Sequence, residues 1–402
     1  MSYIYNREIQ LADTAQKDAF GRLRTSGITS LLELKHTFDT QPLLEDEIID
    51  GGASVSLDGS TVLMETSGSD YIIRQSFASA PYQPGKSQIF EASFANLEIT
   101  GGKNVIKRVG AYTSRVIAPY NTFFDGFFLE SIGESGVINF CIYKDGTPVV
   151  VAPTTNWLTD DYDPTLIDWS KSQLMMVDYQ WLGVGRVRFY MVLEGVPRLF
   201  YEYTHANNEM GVYMIRPNKP IRHEIRATGV PLVTDTLVEI CSQISTEGSL
   251  NDLSKDVPLL NESTGTLGKN QFWGVLGFRG KRQGIKAFMK NFSIVQVSGA
   301  NYILRVLRNP NFSVAPTWTT VTNTLIEYST DVQRVNSGRG EIELLTYIAN
   351  SSFTGSGPLD MGDSAYTAGF DLDGNSVEFW LCIEPISTNG TFIVGMNVEQ
   401  YD

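Results

Sequence analysis

Cysteine and histidine are scarce in this chain, with three of each in 402 residues. Cys141, Cys241 and Cys382 are odd in number and widely spaced. They fit neither a secreted disulfide framework nor a paired metal knuckle, and read as buried thiols of a chain folded in a reducing cytoplasm. His36, His205 and His223 are isolated from one another, so zinc chemistry is poorly supplied by sequence neighbours. Long apolar runs are also missing. The longest uncharged stretch, 309–326, holds Pro310 and Pro316 and is mostly Asn, Thr and Ser, which excludes a bilayer span and argues against a membrane partner. The first residues, MSYIYNREIQL, carry neither the basic nor the apolar region of a secretory signal. Bases are outnumbered, 31 against 45 acids for a net charge of −14, a balance that repels a phosphate backbone and argues against nucleic acid.

Catalytic motifs are lacking as well. There is no GxxxxGK[ST] phosphate loop, and GESG at 133–136 lies between strand-like runs rather than on the strand-to-helix turn of a nucleophile elbow. A glycosidase needs two carboxylates across a groove, and sequence alone does not place Glu194, Glu202 or Glu239 relative to one another. The expectation is a noncatalytic protein without a cofactor.

What the chain does have is β structure. From Leu31 onward it alternates apolar and polar residues or runs continuously in Val, Ile, Phe, Tyr and Thr, with no 15-residue segment of clean 3.6 periodicity. Asp58-Gly59, Asp145-Gly146, Glu194-Gly195, Asp373-Gly374 and Asn389-Gly390 each separate two strand-like runs, the signature of hairpins with tight turns. Antiparallel strands without helices to cover them bury their faces sheet on sheet. The fold class is therefore all-β, an antiparallel jelly-roll-like β-sandwich. Three units are expected: an N-terminal arm over 1–30, in which 14–24 offers the one short helix, a large sandwich over 31–298, and a smaller C-terminal β domain over 299–402. That last boundary rests on composition, since from Asn301 onward 4 arginines face 12 acids.

Several residues carry candidate chemistry. Asp160, Asp161 and Asp163, with Asp168 nearby, read as a solvated acidic loop, with Ca²⁺ binding as the alternative that their oxygen ligands would suit, although the spacing matches no complete calcium loop. Trp157 and Trp169 would stack on sugars if exposed, or pack in the core if not. Arg279, Lys281 and Arg282, followed by Lys286 and Lys290, contain no intervening acid; they form either a solvated face or a contact for an acidic neighbour, such as the C-terminal unit of a second copy.

Two segments extend this reading. DAFGRLR, Asp18 to Arg24, and DWSKSQLMMVDYQWLGVGRVRFYMVLEG, Asp168 to Gly195, followed by FYEYTHANN and PIRHEIRATG, are similar to segments of structural proteins from tailed bacteriophages and related viruses. The resemblance covers about a quarter of the chain. Thr25-Ser26 departs from the apolar pair expected after the arm motif, which leaves the position in the particle open. The resemblance implies a virion protein, made in the host cytoplasm, with a concanavalin-like or jelly-roll sandwich, serving as a head decoration, fibre or tail-associated component. Other virion proteins and further copies of the chain, a trimer for instance, would be its partners. The arm would dock through Phe20 and Leu23 as apolar anchors and Arg22 and Arg24 as charged forks, with Gly21 letting the backbone turn. The alternative is a lectin-like virion module that binds a receptor or surface glycan.

Overall fold

The computed structural model describes residues 17–18, 21–68, 70–98, 104–133, 135–159, 162–229, 234–249, 254–298, 301–336, 341–348 and 367–401. Every strand pairing is antiparallel, and among the described residues the helical content is two single turns, Thr154–Asn156 and Pro164–Leu166. The expected all-β sandwich is what the chain forms.

The first unit contains β1 (Ile28–Lys35), β2 (Glu45–Ile49), β3 (Ser54–Asp58), β4 (Thr61–Thr66), β5 (Tyr71–Ser76), β6 (Gln88–Ala95), β7 (Val105–Thr113), β8 (Asp125–Ile132), β9 (Val137–Lys144), β10 (Thr147–Pro153), β11 (Gln173–Tyr179), β12 (Val187–Leu193), β13 (Val196–Tyr203), β14 (Ile221–Ala227) and β15 (Asp235–Glu247). Its back sheet runs β13-β12-β11-β6-β15-β4-β3, with β1 also on β15, and its front sheet runs β10-β9-β8-β7-β14-β5-β2. The period of two in the sequence gives each sheet an apolar face toward the core, and β7, β8 and β14 of the front sheet are buried on the other face as well. Phe90, Phe94, Val177 and Phe189 of the back sheet share a core with Ile72, Val109, Phe127, Phe140 and Ile225 of the front sheet. Rings meet across the gap: Phe140 stacks on Phe189 at 4.7 Å and Phe127 tilts against Tyr179 at 5.0 Å.

The second unit contains β16 (Lys255–Asn261), β17 (Trp273–Gly280), β18 (Lys286–Gln296), β19 (Tyr302–Arg308), β20 (Thr319–Thr320), β21 (Ile326–Ser329), β22 (Gln333–Arg334), β23 (Glu341–Ile348), β24 (Thr367–Ala368), β25 (Glu378–Pro385) and β26 (Phe392–Tyr401). One sheet runs β16-β26-β18-β24 and the other β20-β21-β17-β25-β19-β23, with β22 on β17. The expected boundary at Ser298 therefore falls inside this unit, because β16 and β18 flank β26 and β17 pairs with β25. The division lies between β15 and β16. The change of composition after Lys290 does not mark where strands find partners.

Hairpin turns divide the same way. At Asp145-Gly146 and Glu194-Gly195 both turn residues have positive φ, +45° and +82°, then +55° and +76°, which is the primed geometry that follows strand twist. The Asp58-Gly59 pair also joins neighbouring strands, with Asp58 opposite Thr61. Asn389-Gly390 instead joins β25 to β26, which lie in different sheets, and Asp373-Gly374 lies in a closed loop under the isolated bridge Phe370–Ser376. The helix expected over 14–24 is replaced, where described, by a tight turn in which Lys17 bridges Leu23.

The two units touch. Phe77 of the first packs against the core of the second and accepts a backbone hydrogen bond from Phe370, while Leu372 N donates to Asp46 Oδ2 at 2.6 Å. Within the second unit, Gly277 lies under the indole of the fully buried Trp380, where a Cβ would stand 2.4 Å from ring carbon Cε2. Gly277→Ala is expected to lower the stability of the second unit by about 1–3 kcal/mol, read by denaturant unfolding, because neither the ring nor its neighbours have room to retreat.

Candidate functional site

The segments Asp18–Arg24 and Asp168–Gly195, far apart in sequence, meet in space. Asp178 on β11 stands opposite Arg188 on β12 and pairs with its guanidinium, and Ser87 Oγ donates to the other carboxylate oxygen. Arg24 reaches over and places NH2 2.7 Å from Asp178 Oδ2 and Nε 3.3 Å from Glu247 Oε1. The backbone is held as well: the carbonyl of Lys17 accepts from Arg188, and that of Asp18 accepts from Arg186 at 3.3 Å. Asp18, buried, closes the turn by accepting from Arg22 N at 2.7 Å and Arg22 Nε at 2.5 Å. Arg22 NH2 donates to Gly85 O. The motif is thus a clasp on its own sandwich. Arg24, expected to face a neighbouring subunit, is consumed within the chain; Leu23 remains half exposed, and Phe20 lies outside the described residues.

A second cluster lies under a loop on the outer face of the front sheet. Glu224 of β14 is fully buried and contacts three guanidiniums: Arg222 at 2.8 Å, Arg226 at 2.9 Å and Arg108 at 3.2 Å. Those arginines in turn hold the covering loop, since Arg222 donates to Tyr120 O and Ser114 Oγ and Arg226 to Pro119 O. Burial works against the charge of Glu224, yet Arg222, Arg108 and Arg226 outweigh it and hold its carboxyl down at about 2.

The third cluster is inside the sandwich. Arg74 of β5 reaches Glu239 Oε2 of β15 at 2.7 Å and Glu45 Oε2 of β2 at 2.6 Å, and also pairs with Glu47. His36, just after β1, and His223, on β14, lie against the other oxygen of Glu239. Burial and the nearby Glu239 charge push Glu45 well up, whereas Glu239, equally buried, is held well below its ordinary value by His223 and Arg74. Sequence spacing gave no signal for this set, because its members come from five strands or strand ends.

The remaining candidates are placed plainly. Trp157 is 4% exposed, donates Nε1 to Ala152 O, and packs edge-on to Phe189 at 5.0 Å. Trp169 is half-buried against the same core, so this pair is packing and offers no open platform for a sugar. Asp163 caps the turn Pro164–Leu166 through Thr165, while Asp160 and Asp161 lie outside the described residues. Of the basic run, Arg279 pairs with Glu327 and Glu378 and covers Trp318, Lys290 pairs with Asp256 and Glu399, and Lys286 is buried. Lys281 and Arg282 are exposed. Acids from other strands, invisible in the linear run, neutralise much of it. His205 is bound on both sides, by Tyr203 and by Gly211 O. Cys141 and Cys382 are buried as expected, but Cys241 is exposed.

One open cavity of about 670 Å³ lies between the units. Tyr82, Arg216 and Asn218 of the first face Arg282, Gln283 and Tyr401 of the second, and Asn218 Nδ2 donates to Gly284 O at 2.6 Å across the gap.

No family model matches the chain, and no curated protein matches it. Among solved structures, the carbohydrate recognition domain of Emp47p is 13% identical, with 55% of this chain and 97% of that one covered at a TM-score of 0.37. The legume lectin-like domain from Entamoeba histolytica is 10% identical, covering 56% and 100% at 0.35. The exoplasmic/lumenal domain of VIP36, in a Ca²⁺/Man3GlcNAc-bound form, is 13% identical, covering 56% and 92% at 0.34.

Because the Glu224 carboxyl is depressed, its contribution to stability is complete above its ordinary value of 4.5 and is lost as pH falls toward 2. Glu224→Gln is expected to cost on the order of 3 kcal/mol at neutral pH and to flatten the dependence of unfolding free energy on pH between those values, measured by urea titration. An unchanged pH profile in the variant would contradict the assignment.

Proposed function

We propose that the chain is a noncatalytic structural component of a tailed-bacteriophage virion, a head decoration, fibre or tail-associated protein that acts by docking through its surfaces. The observation that supports this is the clasp: the two segments similar to phage structural proteins form one ion-paired contact, Asp18 and Arg24 on Asp178, Arg186 and Arg188. A buried carboxylate shared by two guanidiniums holds one geometry, because separating it from either leaves charge without water or partner. A clasp of this kind fixes Lys17 and Asp18 against the sandwich. Repeated copies on a symmetric lattice then convert weak contacts into lasting attachment.

Removing residues 1–26, which stops short of β1, is expected to leave a folded protein that fails to enter particles; Arg24→Ala is expected to show the same defect more weakly. Incorporation of the truncated chain at the full-length level, measured by quantitative mass spectrometry of purified virions, would refute the docking role of the arm.

A second reading, glycan recognition by a lectin-like module, is favoured by the crevice between the units, which the planar polar groups of Arg216, Asn218, Arg282 and Gln283 line. Amide and guanidinium donors of this kind fix the hydroxyls of a sugar. On a glycan array this reading expects reproducible binding that Arg282→Ala reduces at least tenfold, about 1.4 kcal/mol. Silence across the array removes the reading and leaves assembly alone.

A further inference from the structure

The interior cluster of the first sandwich has a geometry that its hydrogen bonds do not use up. Glu47, Arg74 and His223 share one rung of the front sheet, with Glu47 opposite Arg74 and Arg74 opposite His223. Facing Arg74 and His223 across the sandwich is Glu239, at a bulge in β15, and beside it are His36 and Glu45. His36 Nε2 is 3.1 Å from Glu239 Oε1 and 3.5 Å from Glu45 Oε2, and His223 Nδ1 is 3.0 Å from the same Glu239 Oε1. These separations are short, yet no ring nitrogen of either histidine, nor Glu45 Oε1, nor Glu239 Oε1, is in hydrogen-bonding geometry. His36, His223 and Glu239 have no exposure and Glu45 has 3%. Buried polar atoms left in this state ordinarily have a partner.

A divalent cation is such a partner. Ligand atoms bound at 2.0–2.2 Å in a tetrahedron stand about 3.3–3.6 Å apart, close to the separations seen here. Glu45, Glu47 and Glu239 outnumber the single guanidinium of Arg74, so a cation brings the sign of charge this set attracts. Imidazole nitrogens combined with carboxylate oxygens suit zinc and its first-row neighbours better than calcium. Arg74, held on Glu239 Oε2 and Glu45 Oε2, fixes the carboxylates while Glu239 Oε1 stays turned toward the histidines, the supporting role that outer groups play around metal ligands.

We propose that His36, Glu45 and Glu239 bind a divalent transition-metal ion that joins the two sheets of the first sandwich, with His223 Nδ1 set beside Glu239 as a neighbour of the ligand set. The three donors come from both sheets and are buried in the interior, so the role of the ion is to hold the fold. It is separate from the acidic loop at Asp163 and does not depend on either proposed function.

The probe is zinc alone. Full-length protein produced with zinc in the medium and dialysed into metal-free buffer is analysed by inductively coupled plasma mass spectrometry, and thermal unfolding is followed after refolding in zinc or in chelator. The expected result is about one zinc per chain, a higher Tm after refolding in zinc, and loss of most of the metal in His36→Ala, which keeps all three carboxylates and Arg74. Folded protein that carries no zinc and refolds to the same Tm with or without it would overturn the proposal, leaving a network held by protons. Equal metal content in His36→Ala would overturn it too. Should that variant not fold, the refolding comparison on the native chain decides.

Discussion

A carboxylate removed from water must touch cations or polar hydrogens, and among the described residues the constraint is met at several places, Asp125 on Lys219 and Asp235 on Lys107 among them, of which three join separate parts of the fold. Glu239 lies between the sheets of the first sandwich, Glu224 under the loop that covers the front sheet, and Asp178 beneath the N-terminal turn. Each is fully or almost fully buried, and each is gripped by arginine. Apolar packing holds the layers together but is indifferent to small slides between them. A buried carboxylate in contact with two or three fixed groups is not, since displacement leaves a charge uncompensated. The three clusters therefore determine how sheet meets sheet, loop meets sheet and arm meets sandwich.

The strand pattern was legible because it is local. A run with period two next to a turn of positive φ needs no partner to be recognised, and Asp145-Gly146 and Glu194-Gly195 form the hairpins their residues suggest. The same dipeptide signal misleads where the flanking strands seek different sheets. Asn389-Gly390 carries the chain from β25 to β26 across the second sandwich, and only the distant partners β19 and β18 decide that. The domain boundary was hidden for a related reason: β16 is completed by β26, more than a hundred residues later, so no local change of composition marks the start of the unit.

The sites were less legible than the fold. Trp157 and Trp169 have the chemistry of a sugar platform, but Trp157 is buried and Trp169 is half-buried against the same core. The run from Arg279 to Lys290 is basic only when read along the chain; folded, Glu327, Glu378, Asp256 and Glu399 arrive from other strands to meet it. His36, Glu45, Arg74, His223 and Glu239 had no spacing to reveal them, since their proximity is a product of two sheets closing face to face. A charged residue at an inward position of an alternating strand, as Glu239 is between Leu237 and Ile244 on β15, is the one mark such a network leaves in sequence.

Perturbed carboxyls often mark active sites, because catalysis needs acids and bases tuned away from their ordinary range. Here the perturbed carboxyls point elsewhere. Glu224 is enclosed by three guanidiniums and a loop, and Glu45 and Glu239 face the interior of a sandwich, so a substrate would have to displace packed structure before reaching any of them. A group that exchanges protons with a substrate must meet it in a cleft, and the cavity between the units is lined by tyrosines, amides and arginines rather than by these acids. Strong electrostatics and an accessible surface thus occupy different parts of the molecule. The buried charges fix the shape, and the accessible crevice is built from other groups.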